Sequence, residues 1–143
     1  VRILVTGSRD WPDESFVWGP LDNLAAPALV HSEDVVVAHG KCPTGGDKFA
    51  DNWGRYRTWL QDSYLTYGLG RVRVEPHPAD WRMSRTMAGR WRNQHMVNLG
   101  ADICVAFLKD HSPGTTHCLQ AAAEADIPIK VYYDCTCHEK EEM

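Results

Sequence analysis

The sequence lacks several things. No apolar run approaches the ~20 residues that a membrane-spanning helix needs. Its five cysteines are odd in number and irregularly spaced, so they make no disulfide framework and fit a reducing compartment. There is no basic excess. Lys and Arg total 15 against 19 Asp and Glu, a formal charge of −4, which argues against nucleic acid as a partner. Three signatures are also missing. Without a Walker A loop the chain is not a P-loop ATPase, and without G-x-G-x-x-G in the first turn it lacks the dinucleotide fingerprint. Without G-x-S-x-G it has no nucleophile elbow.

What is present is ordinary for a globular protein. At 143 residues the chain makes one domain, and 43% hydrophobic with 24% charged residues excludes a disordered or collagen-like chain. Six tryptophans are many for this length and predict aromatic anchors in the core or around a pocket. Val1 to Val5 reads as a strand rather than a signal peptide, so a cytoplasmic chain, complete apart from an initiator Met, is expected.

Five short β-branched runs are bounded by Gly, Pro and polar clusters: Ile3–Val5, Val35–Ala38, Val72–Val74, Ile103–Phe107 and Ile129–Tyr133. Such runs are buried parallel strands. Between them lie helical patterns. Phe49, Trp53, Tyr56 and Leu60 fall on one helix face, as do Trp91, His95 or Met96, and Leu99, and Thr115 to Ala125 is rich in Ala. In the first interval Pro20 is expected at N1 of a helix that Pro27 ends or kinks. This alternation predicts an α/β, Rossmann-like single domain, about five parallel strands with helices on both faces. Residues 1–134 form the domain, and residues 135–143 a polar tail. The tail's Cys135, Cys137 and His138 lack a fourth ligand and standard spacing, so no metal is expected, and no cofactor.

In such sheets ligands bind beyond the carboxyl ends of the strands. The loops there are Thr6–Trp11, His39–Asp47, Pro76–Trp81 and Lys109–Thr116, and three of the four hold glycine and hydroxyl residues. Glycine lets backbone approach an anion, and a helix N-terminus points free N–H groups at it. Ser112, Gly114, Thr115 and Thr116 are the first candidate phosphate loop. Gly7, Ser8 and Arg9 are the second, with Arg9 as a clamp. Gly40, Gly45 and Asp47 belong to a third loop, and His39 and His111 fall on the same edge. Each has a plainer reading: tight turns for the glycines, N-caps for Ser112 and Thr115, and a favourable helix-start carboxylate for Asp47.

Several motifs then line up in order: Arg2-Ile-Leu-Val-Thr-Gly-Ser-Arg-Asp-Trp11, His39-Gly40 with Gly45-Gly46-Asp47, Pro78-Ala79-Asp80-Trp81, Ala88-Gly89, Arg92-Asn93-x-x-Met96, Gly100-Ala101-Asp102 and Gly114-Thr115. Over about Val1 to Val131 the chain resembles the YspA-type branch of the SLOG superfamily, and more distantly LOG phosphoribohydrolases and DprA. The resemblance implies a Rossmann-like fold with a nucleotide pocket at the strand ends. LOG enzymes carry Arg-Lys-x-x-Met before the fourth strand, where this chain has Arg92 and Asn93. They then carry Pro-Gly-Gly-x-Gly-Thr-x-x-Glu, where this chain has Cys118 in place of the Glu.

The leading expectation is therefore a binding module that senses or sequesters a nucleotide or nucleotide-derived small molecule. A second is an enzyme acting at a nucleotide N-glycosidic bond, with Arg92 orienting the ligand and Asp47 or Asp80 as acid or nucleophile. A third, by analogy with DprA, grips single strands through Arg82, Arg85, Arg90 and Arg92 with Trp81 and Trp91. The aromatic surplus would also suit a homodimer interface.

Overall fold

A computed structural model describes residues 1–64, 68–110 and 112–134, and the side chain of residue 85 lies outside that description. The expectations for His111 and for the Cys135, Cys137 and His138 tail fall outside the described residues.

The elements are β1 (Arg2–Gly7), α1 (Ser15–Val30), β2 (Val35–His39), α2 (Gly45–Ser63), β3 (Val72–Pro76), α3 (Arg85–Asn98), β4 (Ile103–Lys109), α4 (Pro113–Glu124) and β5 (Ile129–Asp134). All five strands are parallel, in the order β3-β2-β1-β4-β5. Ile3 pairs with Val37 on one side and with Ile103 on the other. Alternation sends Ile3, Val5, Val37 and Val105 to one face, where α1 and α2 cover them with Val17, Leu21, Ala50 and Trp53. Leu4, Ala38 and Cys104 face the other way, under Met96 and Val97 of α3 and Cys118 and Ala122 of α4. The chain steps one way along the sheet through α1 and α2, then crosses back through α3 to β4. A fixed crossover hand puts the two helix pairs on opposite faces.

Three helix expectations are corrected. Pro20 is not at N1: α1 starts at Ser15 and runs through both Pro20 and Pro27 to Val30. It tolerates two missing N–H bonds because Val17, Leu21, Ala25 and Ala28 anchor its inner face. In α2 the buried face is Ala50, Trp53 and Gly54, while Tyr56 is exposed. The helix lies so close to β3 that a Cβ on Gly54 would overlap Val74. In α3 Trp91 and Leu99 point outward, and the inner face carries Ala88, Asn93, Met96 and Val97. No helix among the described residues is long and apolar enough to cross a membrane.

Candidate functional site

β1 sits between β2 and β4, and the chain leaves β1 toward β2 but returns later to β4. The loops therefore diverge between β1 and β4, which is where open α/β sheets bind ligands. A cavity of about 930 Å³ opens there. Its floor is Val5, Thr6 and Gly7 of β1. One wall is α3, where Thr86, Arg90, Asn93 and Met96 recur at helical spacing, and the other is Ser112–Thr115 at the start of α4.

The start of α4 is open toward this space. Ser112 is the N-cap and Pro113 follows it, but the Ser112 hydroxyl donates to Thr115 Oγ1 at 3.1 Å and caps no backbone N–H. The first amides of the helix thus keep their donor capacity. A Cβ at Gly114 would meet nothing within 4 Å, so the backbone there is bare on its cavity side. Thr116 is exposed and lies off the wall, and its N–H bonds Ser112 O at 3.0 Å.

The β1 loop is built differently from the sequence expectation. Ser8 is buried and is absent from the wall: its N–H donates to Phe107 O at 2.9 Å and its Oγ accepts the Lys109 N–H at 2.9 Å. It ties β1 to β4 and carries no free group for a ligand. Gly45 also lies off the wall. It has φ +76, and a Cβ there would strike Ser8 O. Gly7 does line the cavity, yet a Cβ on it would stand 2.7 Å from Gly46 Cα. These glycines let the start of α2 pack backbone-to-backbone on the end of β1.

A polar chain runs along the cavity, with Cys42, Asp47, Arg92 and Asn93 all on its lining. Asp47, 5% exposed, accepts the Gly40 N–H at 3.1 Å and the Cys42 N–H at 3.4 Å on Oδ2, while its buried Oδ1 has no partner among the described residues. Burial pushes the Asp47 pKa up; the nearby His39 and Arg92 and the two amides pull it only part of the way back. Arg92 Nη1 donates to Gly40 O and to His77 O at 3.4 Å, and its Nε donates to Asn93 Oδ1 at 2.9 Å. Asn93 Nδ2 then donates to Gly114 O at 3.2 Å and to His117 Nδ1 at 3.3 Å. A Cβ at Gly40 would displace the Arg92 guanidinium from its present position. His39 is buried next to this polar chain and pairs with Asp51. Its Nδ1 accepts the Lys41 N–H at 2.9 Å, so Nε2 carries the proton donated to Asp51 at 2.9 Å.

At the mouth, Arg9 and Trp81 both line the cavity, and the guanidinium carbon lies 5.8 Å from the indole centroid. Asp80 is elsewhere: it lies off the wall, is half exposed, and pairs with Arg82 at 2.9 Å. Of the arginine cluster, Arg82 is held by Asp80, while Arg90 and Arg92 both line the cavity and Arg92 donates to the Gly40 carbonyl.

Against known proteins, the family model for the YspA, cpYpsA-related SLOG family matches residues 1–66. The "Gene 61 protein" of Mycobacterium phage D29 is 39% identical over 130 residues, which covers 90% of this chain and 93% of that protein. The chain belongs to the YspA, cpYpsA-related SLOG family.

Within this SLOG-family chain, Cys118 is fully buried between β4 and α4 and lies off the cavity wall. It therefore presents no group where a glutamate was expected to act. Sequence reasoning assigned no wall role to Thr86, Met96 or His117. Their signal was faint: in α3, polar and small residues at 86, 89, 90 and 93 interrupt what an apolar helix face would show. His117 could not be singled out, because only the turn of α4 brings it beside Asn93.

Proposed function

We propose that this protein binds a nucleotide or nucleotide-derived small molecule in the cavity between α3 and α4, as a sensing or sequestering module. The observation that carries this reading is the uncapped start of α4, with bare Gly114 backbone, opening into a cavity also lined by Arg9 and Arg90. Neither arginine forms an ion pair with another described residue. A phosphate there would meet helix N–H groups and the positive end of the helix dipole, with hydrogen bonds contributing about 1.5–3 kcal/mol each. The volume falls in the range of small-molecule sites. The family membership supports the same class of ligand.

Cleavage of an N-glycosidic bond is the second reading, and one observation favours it. Asp47 is a buried carboxyl at the cavity whose Oδ1 has no partner among the described residues, and burial raises its pKa in the direction that suits a general acid. Asp80 lies off the cavity wall and is paired with Arg82, which supports Asp47 over it in this role. Native mass spectrometry with AMP, GMP, ADP-ribose and cyclic nucleotides separates the two. An adduct of intact ligand mass supports the binding module, and free base with loss of activity in Asp47→Asn supports the enzyme. Intact-ligand binding that Gly114→Asp and Arg9→Ala both leave untouched would overturn the site assignment.

A further inference from the structure

We propose that Trp81, layered with Arg9, is the platform on which the aromatic ring of the bound ligand stacks, and that the cavity reads this ring by its face and tolerates any base. This rests on the nucleotide reading above. Five of the six tryptophans are explained by packing or lie off the site. Trp11, Trp18 and Trp53 have their ring N–H groups bonded, to Asp13 O at 3.1 Å, Phe49 O at 3.1 Å and Asp22 Oδ1 at 2.8 Å. Trp59 is exposed, but on α2 and away from the cavity. Trp91 is likewise exposed and off the wall. Trp81 alone is both 52% exposed and part of the cavity wall. An indole left half in water at the rim of a cavity keeps apolar area that a planar ligand can cover. Arg9 lies over the ring at 5.8 Å, and a guanidinium layered on an indole offers a second planar surface for a base.

The same wall holds no free amide side chain with which to read a base edge. An Asn or Gln amide is the side chain best matched to paired donor and acceptor groups. Asn93 is the one amide side chain on the wall, and both its ends are engaged: Oδ1 by Arg92, Nδ2 by Gly114 O and His117. Recognition through the ring face is base-tolerant, because every base has one.

The test is isothermal titration calorimetry of the full chain with AMP, CMP, ribose 5-phosphate and inorganic phosphate, on the parent and on Trp81→Leu and Trp81→Phe. Circular dichroism confirms that each variant folds. The parent is expected to bind AMP and CMP within about tenfold of each other, and both about 5- to 150-fold more tightly than ribose 5-phosphate. Trp81→Leu should bring the nucleotides to the level of ribose 5-phosphate and leave ribose 5-phosphate unchanged, while Trp81→Phe keeps part of the gap. Equal affinity of the parent for AMP and ribose 5-phosphate, or an equal loss of both in Trp81→Leu, overturns the stacking platform and leaves the phosphate site standing. A preference of more than about a hundredfold for one base overturns the face-reading claim. Absence of binding by all four probes overturns the nucleotide reading itself, and the platform with it.

Discussion

Asp47 and Arg92 are linked through a single peptide residue: Asp47 Oδ2 accepts the Gly40 N–H at 3.1 Å, and Arg92 Nη1 donates to the Gly40 carbonyl. The acidic and the basic side chain thus hold opposite ends of one glycine and do not pair with each other directly. Moving either one moves the β2 loop.

This arrangement sets the pH behaviour of Asp47→Asn. The folded-state pKa of Asp47 is raised, so the folded protein binds a proton more tightly than the unfolded chain does. Stability contributed by this group is full below the ordinary value of 3.8 and falls as pH rises through the folded-state pKa. The variant carries no such loss. Thermal melts should show the melting temperature of Asp47→Asn gaining on the parent from pH 4 to pH 7, and a constant difference across that range would contradict the assignment.

Glu75 works in the opposite sense. Its two hydrogen bonds from Arg2, with a further one involving His77 at 2.9 Å, hold its pKa at about 2, below the ordinary 4.5. The stabilisation is present above pH 4.5 and disappears as pH falls toward 2. Because Glu75 is 37% exposed, solvent screening limits its size to less than ~1 kcal/mol. Glu75→Gln should therefore lower the urea midpoint slightly at pH 7 and leave it unchanged near pH 2.

Two glycines on the cavity wall should respond oppositely to alanine. At Gly7 the new methyl would stand 2.7 Å from Gly46 Cα, backbone that cannot yield cheaply, so Gly7→Ala should cost about 1–3 kcal/mol of stability. At Gly114 the methyl meets nothing within 4 Å. Gly114→Ala should fold with the parent's stability and weaken binding of a phosphate-bearing ligand. Chemical denaturation and calorimetry on both variants check this.

Asp80→Asn separates the two carboxylates that the sequence left as alternatives. Asp80 is held by Arg82, away from the cavity, so its substitution should leave ligand binding within about twofold of the parent, as surface changes away from a site do. A tenfold loss would place Asp80 in the site after all.

Much of this molecule is legible from its residues alone. The five β-branched runs, each closed by Gly, Pro or a polar cluster, fall on the five strands. Burial of both faces explains the continuous apolar runs of the inner strands β2, β1 and β4. The expected burial fails at edge strand β5, which has no buried residue because nothing among the described residues pairs beyond it. The ordered motifs from Thr6-Gly7 to Gly114-Thr115 point to the SLOG family, and Gly114 and Thr115 do line the cavity. The helix faces were less legible. Trp91 and Leu99 fit an apolar stripe on α3, yet the stripe that packs holds Asn93, since that helix borders a polar cavity as well as the core. Spacing along a chain determines which residues share a strand or a turn of helix. It does not determine which of two close groups receives a hydrogen bond, so the assignment of Ser8 to Lys109 and of Arg92 to Gly40 was decided only when β1 met β4 and α3 met the end of β2.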